Sequence, residues 1–244
     1  MPAAGETAAR RLSRGELVEI AQQEAVKDTY LATISKALVE CVDAALLVND
    51  RVLPVHTIFL ISASTVLADL LSSQASEPQD HVQMVPLLGD GEDCVLDALA
   101  FIYRRMVLSE AAPRITTLSQ AKHLVHFGHK YQIQVLLDRG DAFMCQLCKE
   151  NLPDLNYLEA GYDTQDELYE DEDTIQNVQE YIALAEAHSL KLTLGVCETW
   201  FIQHFWHVGC FLGSEFTEAL EKLQTDTLAR ITAGVHAEFK DKIG

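Results

Sequence analysis

Long apolar runs are missing from this sequence. No stretch approaches the ~18–20 uncharged apolar residues that a membrane-spanning helix requires. The opening segment, MPAAGETAARRLSRGELVE, lacks the apolar core of a secretory signal. The expectation is therefore a soluble protein inside the cell, in the cytoplasm, the nucleus or both. Glycine and proline are sparse, at 12 and 6 of 244 residues, which excludes a collagen-like or low-complexity chain. Positive charge is scarce as well: Lys and Arg number 18 against 37 Asp and Glu, a formal net charge of −19. A surface this acidic repels phosphate backbones, so nucleic acid is not an expected partner. The six cysteines, without a secretion signal, read as reduced thiols.

Catalytic signatures are missing too. There is no glycine-rich phosphate loop and no GxSxG or HExxH sequence. Nothing assembles a nucleophile, a base and an orienting acid, so neither an enzyme nor a cofactor is expected. Cys145 and Cys148 form a lone CxxC late in a helical run, where a redox pair does not usually sit. With no second CxxC, a four-cysteine zinc site has no support. His123, His126 and His129 recur every three residues, as do His204, His207 and Cys210; on a helix such spacing makes neighbours of the side chains. A metal site would need a further ligand from elsewhere. Trp200, Phe201, Phe205 and Trp206 read as helix core.

Hydrophobic spacing organises the rest. Leu17, Ile20, Ala21, Tyr30, Leu31, Ile34 and Leu38 follow three- and four-residue steps and predict one long or two short helices over about 16–40. Cys41–Val48 and Arg51–Val55 predict a hairpin turning at Asn49-Asp50, with Pro54 requiring an edge or an end. Thr57–Leu71 is apolar with helical spacing, Ser72–His81 reads as a loop, and Val82–Leu88 reads as a third strand. Helices are predicted over 94–107, 118–131, 135–149, 175–188, 192–208 and 214–240. Strands mixed with helices, then helices alone, make an α+β domain with a helical extension. Gly128–Ile133 faintly echoes Ala185–Leu190, each leading into a further helix. Between Glu150 and Leu190 there is no Lys or Arg and there are twelve acids, seven of them from Asp163 to Asp173. That run reads as a solvated, mobile loop, with a docking strip for a basic partner as the sharper alternative.

The order of motifs from Asp43 to Met144 resembles the BTB/POZ domain. The strand Val42–Val48 carries Asp43. The second strand leads into His56, with Leu60 four and Ser64 eight residues later. Leu70-Leu71 closes that helix, Phe101-Ile102-Tyr103 ends a later one, and Lys130-Tyr131-Gln132-Ile133 ends the last. Thr57 stands where the family usually has Lys, Thr65 where it has Pro, and Arg104-Arg105 where a Gly commonly follows. Asp43, alone in an apolar strand, must be hydrogen-bonded or reach solvent. His56 reads as a helix-start or core residue. Tyr103 and Tyr131 are expected to pack at helix ends with wet hydroxyls.

The resemblance implies a BTB/POZ fold, a small sheet with packed helices, followed by an all-helical region similar to the BACK type. The expected organisation is a disordered tail over 1–15, a helix serving a dimer over 16–40, the BTB/POZ domain over 41–145, and an acidic loop with helices over 146–244. It implies a homodimer through the stripe Leu17, Ile20, Leu31, Ile34 and Leu38. For part of the family it also implies binding to a cullin-3 ubiquitin-ligase scaffold, with the chain as substrate adaptor. At the spacing of the family's apolar-x-Glu contact stand Ala75 and Glu77, and Tyr103 is a further candidate contact. The alternatives are an oligomerisation scaffold that meets no cullin, and a metal- or redox-active protein using the Cys and His residues.

Overall fold

The computed structural model describes residues 12–27, 30–32, 34–73, 82–108, 114–152, 168–212, 220, 221 and 223–243; for 107, 108, 168–176, 204–212, 238, 239 and 241–243 it describes the backbone alone. In chain order the elements are α1 (Arg14–Val26), α2 (Lys36–Val39), β1 (Ala44–Val48), β2 (Arg51–Val55), α3 (Thr57–Ala63), α4 (Thr65–Ser73), β3 (Gln83–Pro86), α5 (Glu92–Leu108), α6 (Leu118–Lys130), α7 (Gln134–Asn151), α8 (Leu168–His188), α9 (Lys191–Leu212) and α10 (Thr225–Ile243). They divide into two compact units, 1–136 and 137–244.

The first unit is built on a three-stranded sheet in the order β2-β1-β3. β1 is buried on both faces, at Ala44, Ala45, Leu46 and Val48, which is why it reads as an unbroken apolar run. It pairs antiparallel with β2, Val48 facing Arg51, and parallel with β3. Asn49 and Asp50 both take positive φ, 46° and 67°, as a two-residue hairpin turn demands. Pro54 lies on β2, an edge strand, where its missing N–H breaks no ladder.

The N-terminal segment differs from the expectation. Order begins by Leu12, which is buried and whose carbonyl accepts from Val82 N at 2.9 Å. Ser13 caps α1, and the Glu16 carboxylate reaches back to Ser13 N at 2.8 Å; this reciprocal box starts the helix at Arg14. Glu24, buried on α1, accepts from Arg51 Nη2 at 2.6 Å, and Arg51 Nη1 also pairs with Glu92 in the first turn of α5. One guanidinium thus ties α1, the hairpin and α5 together.

The apolar stretch 57–71 is not one helix. Ser64, extended at φ −152°, separates α3 from α4. Every element described in the second unit is a helix, and Cys148, Val178, Ile182, Cys197, Phe201 and Ile231 share one core there. Gly234 of α10 lies against Ile202 of α9, where a Cβ would collide with Ile202 Cδ1. The boundary expected at 145/146 falls inside α7. The acidic run is not wholly a loop, because Leu168–Asp173 are helical; acids in the first turns oppose the positive end of the helix dipole and suit that place. The remainder, 163–167, lies outside the described residues.

The internal echo is a shared turn. Gln132 and Ser189 both take positive φ, 53° and 57°. Ile133 N donates to Gly128 O, and Leu190 N to Ala185 O, each at 2.8 Å. Both helices therefore end in the same six-to-one cap, from which α7 and α9 start.

Candidate functional site

The residues singled out by motif gather around α3. Asp43, just before β1, accepts from Thr57 N at 2.8 Å and from Thr57 Oγ1 at 2.6 Å. His56 occupies the N-cap position of α3 but makes no side-chain cap bond. Asp43 supplies that cap instead, and its carboxylate is exposed. Thr57 therefore partners Asp43 through a hydroxyl where the family usually places a Lys.

The His56 ring is turned inward and buried. Its Nε2 lies 2.8 Å from Leu38 O and its Nδ1 2.9 Å from Tyr103 Oη. A carbonyl only accepts, so Nε2 carries the proton and Nδ1 accepts from the tyrosine hydroxyl. The same hydroxyl oxygen accepts from His56 N at 2.9 Å. Tyr30 donates to Pro54 O at 2.5 Å and stacks edge-on to Tyr103, ring centres 5.1 Å apart. This polar knot locks the segment between α1 and α2 onto the end of the hairpin.

Ser64 does two jobs. Its hydroxyl donates to Tyr131 O at 2.5 Å and accepts from Leu67 N at 3.0 Å, capping α4. Tyr131 donates to Asp90 Oδ2 at 2.6 Å, and Lys130 Nζ reaches the same oxygen at 2.7 Å. Leu60 is wholly buried beneath α3. Asp43, His56, Leu60, Ser64 and Tyr131 are thus the supports of α3.

Wet hydroxyls were expected at Tyr103 and Tyr131, but both side chains are buried and their hydroxyls bond protein groups. Tyr103 is 0% exposed, so it offers a partner no side-chain surface. Ala75 and Glu77 lie outside the described residues. The dimer stripe is largely consumed within the chain: Leu17, Leu31 and Ile34 are buried in its own core, while Ile20 and Leu38 are half-buried. Other apolar side chains reach solvent, Val26 at 87% on α1 among them; on the outer face of α3 they are Ile58 at 61% and Ile61 at 44%. Periodicity passed over both, since an apolar helix gives no sign of which face its own fold will cover.

The histidine spacing does not converge. His123 Nδ1 pairs with Asp97 at 2.6 Å, whereas His126 Nε2 stands 3.9 Å from Asp90. Among the described residues no group of three or more His, Cys, Asp or Glu is placed to hold a metal ion. The side chains of His204, His207, Cys210, Phe205 and Trp206 lie outside the described residues. Trp200 and Phe201 pack in the helical core.

Burial holds the phenols of Tyr30, Tyr103 and Tyr131 well above the ordinary tyrosine value, and desolvation pushes the Cys94 thiol up to about 11. These groups keep their protons in the fold at pH values where the unfolded chain has lost them. The tyrosine contributions are complete below the free value of 10.0 and that of Cys94 below 9.0, and each is lost as pH rises beyond that value. An alkaline titration of tyrosinate absorbance is accordingly expected in two phases. Exposed phenols ionise first, and these three follow only as the first unit unfolds. A single reversible wave for all seven tyrosines would contradict the burial described here.

A small sheet sheathed in helices, whose marked polar residues brace a helix with an exposed apolar face, belongs to the class of protein-interaction domains. A sequence model of the BTB/POZ domain family matches residues 35–147. Residues 35–147 are a BTB/POZ domain, and the elements described after it are helices. No curated protein matches it. BTB domains commonly self-associate and bind other proteins. No helix among the described residues is long and apolar enough to cross a membrane.

Proposed function

We propose that this chain is a homodimeric adaptor that joins a partner protein to a cullin-3-type ubiquitin-ligase scaffold. The observation that carries the reading is the BTB/POZ match over 35–147 on a fold whose α3 is braced from beneath. Ile58 and Ile61 support it, since an interaction module needs apolar side chains left in solvent. Ala75 and Glu77 are the proposed scaffold contacts, and the helical region, similar to the BACK type, is the proposed reader of the partner. With most of the stripe Leu17, Ile20, Leu31, Ile34 and Leu38 spent internally, self-association must draw on surface beyond those five residues.

Light scattering during size-exclusion chromatography tests this, on the protein alone and with a cullin-3 N-terminal fragment. The expected result is a dimer that moves to a larger complex. Ala75→Met is expected to tighten that complex roughly tenfold, because a few well-seated apolar anchors dominate such interfaces. A dimer that never shifts, with Ala75→Met as inert as the parent, would leave the second reading, a scaffold that meets no cullin. The small side chain of Ala75 is what favours that alternative.

A further inference from the structure

The second unit places two thiols face to face. Cys148 of α7 and Cys197 of α9 are both wholly buried, and their Sγ atoms stand 3.9 Å apart although 49 residues separate them in the chain. They share an apolar core with Val178, Ile182 and Phe201, and Tyr181 packs against it. Cys145, one helical turn before Cys148, is 8% exposed, which puts the edge of this thiol cluster at the surface. We propose that Cys148 and Cys197 form a redox couple, closed by hydroperoxide oxidants into a disulfide that staples α7 to α9.

The geometry favours this pair over the CxxC. A disulfide needs sulfurs about 2.05 Å apart, so Cys148 and Cys197 have under about 2 Å to close, shared between two side chains. Cys145 and Cys148 are instead fixed one turn apart on the same continuous helix. Polarity within the pair assigns the roles. Either thiol can donate across this contact; with Cys197 as donor, the Cys148 thiol is held below its ordinary value and Cys197 above it, while burial and then the Asp141 carboxylate oppose the shift at Cys148. In that arrangement Cys148 is the nucleophile, because the thiolate is the reactive form.

The chemistry balances with peroxide as the oxidant. The Cys148 thiolate attacks one peroxide oxygen; the S–O bond forms, the O–O bond breaks, and hydroxide leaves to become water on taking up a proton. Cys148 is then a sulfenic acid. Cys197 gives up its proton and attacks the Cys148 sulfur; the S–S bond forms and the sulfenic hydroxyl leaves as a second water. Two thiols and one hydrogen peroxide thus become one disulfide and two waters.

The test treats the full chain with hydrogen peroxide, raised until the exposed Cys41 is oxidised. Remaining thiols are blocked with N-ethylmaleimide, and digests are mapped by mass spectrometry. A C145S/C210S background makes the assignment unique. The expected product joins Cys148 to Cys197, is lighter by two hydrogens, and reverts with dithiothreitol. A rise in Tm that the same reductant abolishes should accompany it. Cys197→Ser is expected to leave Cys148 as a sulfenic acid that dimedone traps; if that variant fails to fold, the map of the unmodified chain decides alone. Oxidised Cys41 beside maleimide-labelled Cys148 and Cys197, or a Cys145–Cys148 bond in their place, overturns the proposal.

Discussion

Replacing Tyr103 with Phe is expected to cost the first unit about 2–4 kcal/mol, although only one oxygen is lost. That oxygen both donates to His56 Nδ1 and accepts from His56 N, each at 2.9 Å. Removing it strands two buried polar groups, and each such group costs about 1–3 kcal/mol. No water replaces it readily, because Tyr103 is 0% exposed and Tyr30 and Phe59 pack edge-on around its ring. Tyr103→Ala adds the cavity of a deleted aromatic, for which about 3–5 kcal/mol is typical, and should leave the unit unfolded or nearly so. A cycle pairing Tyr103→Phe with His56→Ala should show coupling of about 1–2 kcal/mol, since the two side chains share one bond.

The measurement can be confined to the right unit. Both tryptophans, Trp200 and Trp206, fall within 137–244. Tryptophan fluorescence therefore follows the second unit, while far-ultraviolet circular dichroism follows both. Urea unfolding of Tyr103→Phe should displace the part of the dichroism transition that fluorescence does not report. A displacement worth under about 0.5 kcal/mol, the range of an ordinary surface change, would remove Tyr103 from the role given to it here.

What was legible in the sequence was whatever local chemistry dictates. The hairpin followed from an apolar run meeting Asn49-Asp50, two residues that tolerate positive φ. The edge position of β2 followed from Pro54, which has no N–H to give. What stayed hidden depended on partners distant in the chain. Ser64 interrupts an apolar helical pattern because its hydroxyl serves Tyr131 O, 67 residues away. The apolar stripe over 17–38 was visible as apolar, but periodicity names a buried face without naming what buries it; the chain's own core took Leu17, Leu31 and Ile34. The tyrosine hydroxyls were misplaced for the same reason, with His56 and Asp90 respectively 47 and 41 residues from their phenols. Ser13 and Glu16 are the opposite case. Their capping box is a local signal that was present and passed over.

One device recurs in both units and sets the last expectation. A helix leaves its first N–H groups unpaired. In the first unit Asp43 answers this for α3 from outside the helix, through Thr57 N and Oγ1. In the second, Asp141 of α7 does the same for α9: it accepts from Leu192 N at 2.9 Å, Thr193 N at 2.8 Å and Thr193 Oγ1 at 2.7 Å. The two carboxylates differ in burial, and that decides the magnitudes. Asp43 is exposed, so water can take over its donors; Asp43→Ala should cost about 1 kcal/mol, as for an ordinary cap. Asp141 is 7% exposed and Thr193 is fully buried, so Asp141→Ala leaves the two Thr193 donors where water does not reach. Hydrogen bonds to charged groups count about 1.5–3 kcal/mol each and add less than fully, which puts the loss at about 3–4 kcal/mol. Asp141→Asn should fall between, since it keeps one accepting oxygen but turns an NH2 toward a backbone donor. Urea unfolding followed by tryptophan fluorescence reads this in the second unit. If Asp141→Ala costs no more than Asp43→Ala, burial does not govern these caps, and α9 is held by its apolar face alone.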